Sequence, residues 1–154
     1  MNTEVSGKVS SIMAHQKASI VWSVGPSAMV FDAIKLMDEK NVGALPVLDQ
    51  GKLVGIVSER DYTRKVILKG RASKDTPVSD IMTRQVLTVN PNSTITESMR
   101  IMTEKRVRHL PVLDGTKLVG ILSVGDVLNW LIWAQKVTID NLERYSLAEI
   151  REQD

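Results

Sequence analysis

Two four-residue strings carry the first chemistry in this chain. Ser58-Glu59-Arg60-Asp61 and Ser123-Val124-Gly125-Asp126 each set a hydroxyl three residues before a carboxylate. Two roles compete for that spacing. At a helix start, the serine side chain accepts from the amide three residues on, and the acid reaches back to the serine amide. A carboxylate fixed in a cleft instead offers two oxygens to two O–H donors, such as a vicinal diol. The roles are compatible if each serine caps while each aspartate faces a cleft. Cations stand nearby in the sequence: Arg60 in the first turn, and Arg106, Arg108 and His109 just before Pro111. Together with the helix-start amides at Ser58 and Ser123, they suit a phosphate. The plainer alternative is a solvated, charged edge strand that resists aggregation. On a strand, Arg106 and Arg108 would share one face and His109 the other. Arg64 and Lys65 read as solubilising surface.

Stepping outward, both strings sit inside a duplication. Leu45–Ile56 reads LPVLDQGKLVGI and Leu110–Ile121 reads LPVLDGTKLVGI. The offset of 65 residues holds without a gap from Val24–Ile67 to Val89–Ile132, with 19 of 44 positions identical. A shorter echo, Val9–Met13 and Val78–Met82, lies at offset 69. The first copy therefore carries four extra residues within His15–Ile20. A half of about 65 residues is a marginal core alone. The expected arrangement is two halves packed face to face about a pseudo-two-fold axis. The duplication is also asymmetric. Where the second half has Arg106, Arg108 and His109, the first has Asn41, Gly43 and Ala44, so the halves have diverged in role.

Composition removes several classes of function. Hydrophobic residues make up 43% of the 154, enough for a core. There is no cysteine, which excludes disulfides, thiolate chemistry and cysteine-based zinc sites. The net charge is +2 with acids and bases well mixed, against a dedicated nucleic-acid surface. No apolar run has the length of a membrane span, and MNTEVSGKVSS does not read as a secretory signal. A cytoplasmic protein is expected. His15 is the only histidine besides His109, so no metal site is expected. No acid–base pair, nucleophile constellation or phosphate-cradling glycine loop is visible, so no catalytic activity is expected.

Each half reads as strand, helix, strand, strand, helix. Ile20–Val24 and Val86–Val89 open as extended pieces broken by Pro26 and Pro91. Val30, Ala33, Ile34 and Met37, then Ile95, Met99 and Met102, recur at helix spacing. Ser27 or Ser93 could cap these helices. A hairpin follows, with Asp and Gly in its turn and Gly55 or Gly120 inside its return strand. Such a glycine marks a close approach by a neighbour or a ligand. Residues 9–68 form the first repeat, 69–77 a polar, mobile linker, 78–133 the second repeat and 134–154 a helical tail. The tail carries Trp133, Val137 and Leu142, with Thr138–Asn141 weakening the helix pattern midway. Its apolar residues suit self-association better than folding back on the core.

The strings GALPVLD, KLVGI and SERD, then RHLPVLD, KLVGI and SVGD, resemble the CBS domain, named for cystathionine β-synthase. Two such units make a Bateman module, and the pattern is most similar to small stand-alone bacterial proteins built only of a CBS pair. The resemblance implies an α+β fold of two β-α-β-β-α repeats. It implies a regulatory sensor for adenosine-containing ligands, with AMP leading, NAD(H) a further candidate, and ADP, ATP and S-adenosylmethionine in the same class. Each cleft would join one half's Ser-x-x-Asp to the other half's base slot. Asp61 and Asp126 would hold ribose. Ser58, Arg60, Ser123, Arg106, Arg108 and His109 would serve phosphate. The base slots would draw on Lys17 to Val21 (Ile20 and Val21 foremost), Ala44, Leu45 and Pro46, and on Thr83, Val86, Leu110 and Pro111. Asp61 would meet Thr83, Val86, Arg108 and His109, and Asp126 would meet Ile20, Val21, Ala44 and Leu45. A homodimer and a regulated partner protein are implied. The competing reading is a structural dimerisation module with vestigial clefts.

Overall fold

The computed structural model describes residues 7–16 and 20–151. Five helices and two hairpins follow the repeat: α1 (Val9–His15), α2 (Val30–Lys40), β1 (Ala44–Asp49), β2 (Lys52–Ser58), α3 (Glu59–Tyr62), α4 (Ile95–Lys105), β3 (His109–Asp114), β4 (Lys117–Ser123) and α5 (Val124–Arg151). A wide helical turn, Thr63–Ile67, extends α3, and a tight turn covers Val78–Asp80.

The hairpins are copies in register as well as sequence. Ala44 pairs with Ser58 and His109 with Ser123, and each ladder carries a bulge, after Val47 and after Val112. Gln50 (φ 51°) and Gly51 (φ 78°) are both left-handed, which matches the right-handed strand twist across a tight turn. The hairpins meet through β2 and β4.

The expected opening strands are reduced to one residue each. Val24 bridges Val47 and Val89 bridges Val112, both in parallel. Val24 donates to the Pro46 carbonyl (3.1 Å) and accepts from the Leu48 amide (2.9 Å). The next bond on either side would need the amide of Pro46 or of Pro26, and neither exists. Pro111 and Pro91 end the second bridge in the same way. The sheets are therefore two-stranded.

The sequence repeats are not the packing units. Val78, Ile81 and Met82 complete the core of the first half, among Val30, Ala33, Met37, Leu45, Val47 and Val57. Val9 and Ile12 complete the second, among Val89, Ile95, Met102, Leu110, Val112 and Leu122. The docking bonds are equivalent. Val78 N donates to Ala28 O (2.8 Å) as Val9 N does to Ser93 O (2.9 Å). Ser79 N donates to Pro26 O (3.0 Å) as Ser10 N does to Pro91 O (2.9 Å). This exchange ties the halves together more tightly than a face-to-face contact alone.

The retained strand glycines are explained by this exchange. A Cβ on Gly55 would meet Met82 Sδ at 2.6 Å and Thr83 O at 3.0 Å, and one on Gly120 would meet Met13 Cε at 3.0 Å. The close neighbour is a methionine of the short echo.

Three local expectations are corrected. Neither Ser27 nor Ser93 caps a helix. Thr94 caps α4, accepting from Glu97 N at 3.1 Å, while Ser93 Oγ accepts from Asn90 N (3.0 Å). Met29 precedes α2 and offers no side-chain cap. The 69–77 segment is fastened, not loose. Thr76 is buried and donates to Ala72 O (2.8 Å), Ser73 O and Thr76 O accept from Phe31 N and Val30 N, and Arg71 pairs with Asp80 at 2.7 Å. The tail is one piece with the second repeat, since α5 runs unbroken through Thr138–Asn141. Thr138 lies within it, its hydroxyl donating to Ala134 O (3.0 Å). Trp130 and Trp133 of α5 pack with His15 of α1. Beyond them Ile139, Leu142 and Leu147 are exposed, so the tail does not fold back on the core.

Candidate functional site

Two clefts lie between the halves. The larger, about 470 Å³, is lined by Ser123 and Asp126 of the second half and by Ile20, Val21, Trp22, Gly43, Ala44 and Leu45 of the first, with Met13 and His109. The smaller, about 340 Å³, is lined by Ser58, Arg60, Asp61 and Arg64 of the first half and by Thr83, Val86, Arg106, Arg108 and His109 of the second. Each cleft thus joins one Ser-x-x-Asp string to the other half's opening piece, the pairing that the resemblance implies. Lys17, also expected in the slot, lies outside the described residues.

Three expected slot residues line neither cleft. Pro46, Leu110 and Pro111 are buried. The two prolines present their carbonyls to Val24 and Val89, and Leu110 packs in the core opposite Leu122.

At the helix starts the serine–aspartate pairs cap their helices while each aspartate lines a cleft. Ser58 Oγ accepts from Asp61 N (3.2 Å) while Asp61 Oδ2 accepts from Ser58 N (2.9 Å) and Ser58 Oγ (3.0 Å). Ser123 Oγ accepts from Asp126 N (3.0 Å) and Asp126 Oδ2 accepts from Ser123 N (2.7 Å). Glu59 N donates to Gly43 O and Val124 N to Arg108 O. These amides are taken by capping and by a carbonyl of their own half, so they do not await a phosphate. The positive side chains remain for that task.

The two aspartates differ in their second oxygen. Lys65 Nζ stands 3.0 Å from Asp61 Oδ1 and donates to Ile81 O at 2.8 Å. Lys65 is therefore a partner of Asp61 as well as a partly exposed surface residue. The repeat puts Trp130 at that place in the second half, and Asp126 has no ion pair among the described residues. The contact was hidden in the sequence, although an acid four residues before a lysine on a helix is its usual sign.

Arg106 is not on a strand. It ends α4 with a left-handed backbone (φ 52°), as Asn41 (φ 53°) ends α2, and its carbonyl accepts from Arg60 Nη1 at 3.1 Å. β3 begins only at His109, so Arg106 and Arg108 project from a loop into the smaller cleft. His109 lines both clefts. Burial pushes its pKa below the usual 6.5, the carboxylates of Asp126 and Glu59 oppose this in part, and Arg108 adds to it. Burial thus favours the neutral form of the imidazole.

Known proteins share this plan. The CBS domain family profile matches residues 9–67 and 78–132. The chain is 41% identical over 121 residues to the mitochondrial CBS domain-containing protein CBSX3 of Arabidopsis thaliana, a match that covers 75% of this chain and 59% of that one. The structure of a CBS-domain protein from Burkholderia ambifaria MC40-6 superposes with a TM-score of 0.81 at 46% identity, over 84% of this chain and 96% of the other. That of CBSX2 in complex with AMP superposes with a TM-score of 0.69 at 30% identity, over 84% and 99%. With both repeats matched and the duplicated hairpin, helix start and inter-half clefts all in place, the chain belongs to the CBS domain family.

Proposed function

We propose that the chain is a regulatory sensor which binds adenosine-containing ligands between its two repeats, AMP first and ADP, ATP or NAD(H) in the same class. The observation that carries this reading is the larger cleft. It sets a carboxylate whose Oδ1 has no partner among the described residues, that of Asp126, opposite an apolar slot of Ile20, Val21, Trp22, Ala44 and Leu45. A ribose diol suits the first and a purine ring the second. The complex of CBSX2 with AMP supports the choice of ligand.

Signalling follows from the walls of the cleft belonging to different halves. A ligand touching both favours the angle between them at which its contacts are best, and only that difference in affinity shifts the conformation. The shift is passed to a partner protein. We further assign a homodimer, with the exposed apolar residues of α5 contributing to its interface. Those residues also favour the second reading, a dimerisation module whose clefts are silent.

A thermal-shift panel separates the two. At about a hundred times its dissociation constant, a ligand stabilises by about 2.7 kcal/mol. AMP, ADP, ATP, NAD, NADH and S-adenosylmethionine would each be tested. A shift for any of them that is lost in Asp126→Ala supports the sensor. Melting indifferent to all six supports the scaffold.

A further inference from the structure

We infer that the two clefts take different ligands: the Asp126 cleft a nucleoside group, and the Asp61 cleft a small polyphosphate anion with no ribose clamp. This rests on the reading that Asp126 holds ribose, and it makes that reading asymmetric.

The difference begins with the lone pairs of two equivalent carboxylates. Asp61 receives the Ser58 amide and hydroxyl on Oδ2 and the Lys65 ammonium on Oδ1. A carboxylate has about four acceptor positions, so three are taken. Lys65 is itself held from behind by the Ile81 carbonyl, which fixes the ammonium over the aspartate. A diol entering here would have to displace a charge-assisted contact and leave Lys65 half-satisfied. Asp126 receives one donor, the Ser123 amide, among the described residues. The residue that would play the part of Lys65 is Trp130, which stacks with Trp133 at 5.0 Å and meets His15 edge-on at 5.8 Å.

Charge makes the second half of the case. Four guanidinium groups, from Arg60, Arg64, Arg106 and Arg108, line the Asp61 cleft. Among the described residues the ion pairs are Lys65 with Asp61 and Arg71 with Asp80, so none of the four arginines has a carboxylate partner. Glu59 and Asp61 are the acids of that wall, and Asp61 is already neutralised by Lys65. Such a cleft selects a compact multivalent anion, which planar guanidinium groups bind through paired hydrogen bonds. The Asp126 cleft is lined by no arginine or lysine among the described residues. Among the described residues its lining offers no cation to hold a polyphosphate.

The test is calorimetric titration of the whole chain with two simple probes, adenosine and tripolyphosphate. Wild type is expected to bind one of each per chain, and neither probe should compete with the other. Asp126→Asn keeps an acceptor for the Ser123 amide and should weaken adenosine about tenfold or more while sparing tripolyphosphate. Arg106→Gln with Arg108→Gln should do the reverse. Lys65→Met frees Asp61 and should raise adenosine from one to two per chain. Two adenosines on wild type, or no second one on a folded Lys65→Met variant, would overturn the division of the clefts while leaving the sensor reading intact. One adenosine that survives Asp126→Asn would overturn it as well. Adenosine binding to neither cleft would contradict the sensor reading itself.

Discussion

Gly43 faces His109 across the boundary between the clefts: a Cβ on Gly43 would lie 3.3 Å from His109 Cε1. The repeat aligns Gly43 with Arg108 and Ala44 with His109, so small residues in one half make room for large ones in the other. Both residues line both clefts. Gly43→Val therefore should weaken ligands in both, and His109→Ala should relieve the crowding. A double-mutant cycle read by titration is expected to show coupling of about 0.5 kcal/mol or more. Additive effects would mean the two residues do not share the wall.

Gly55 and Gly120 occupy equivalent places but should not be equally sensitive. At Gly55 the obstacle includes Thr83 O, a backbone atom that accepts from Ile56 N. At Gly120 it is Met13 Cε, the end of a flexible side chain. Gly55→Ala should cost about 1–3 kcal/mol and Gly120→Ala about 1 kcal/mol or less. Urea denaturation of both variants gives the comparison.

Much of this was legible in the sequence because duplication repeats its constraints. The hairpins and the two eleven-residue helices followed from spacing, and the crosswise pairing of Asp61 and Asp126 with the opposite halves from the resemblance to CBS domains. The opening strands did not, since their loss depends on two prolines meeting one residue in space. The exchange of α1 and Val78–Met82 between the cores was signalled only by the echo at offset 69. The pairing of Lys65 was not legible because a lysine at the end of a short helix is usually solvated, and only the Ile81 carbonyl shows otherwise. Arg106 misled in another way: its αL backbone, which asparagine adopts readily in the first half, gives no sign in an arginine.

The lowered pKa of His109 predicts a pH dependence. Its pKa is lowered on folding, chiefly by burial, so the unfolded chain takes up the proton first as pH falls. Stability from this group is fully present above about 6.5 and is lost as pH drops toward the lower folded value. Asp126, Glu59 and Arg108 are the charged groups that set it. Thermal melts from pH 8 to 5 should fall less steeply for His109→Gln than for wild type. Parallel curves would remove His109 from the account.

On α5, Leu128, Ile132, Ile139 and Leu142 fall on one helical face and are all exposed, Ile132 to 65% and Leu142 to 64%. Ile132→Glu with Ile139→Glu should lower the sedimentation mass from dimer to monomer without changing the circular dichroism spectrum. An unchanged mass would place the interface elsewhere.

The central claim is that Asp126 anchors an adenine nucleotide between the halves. Titration calorimetry of AMP against wild type and Asp126→Ala tests it most directly. The account predicts saturable binding to wild type, and a loss of about tenfold or more in affinity for a variant that stays folded but melts lower, because the Ser123 amide loses its acceptor. Equal affinity for both, or no heat with a folded wild type, would contradict it.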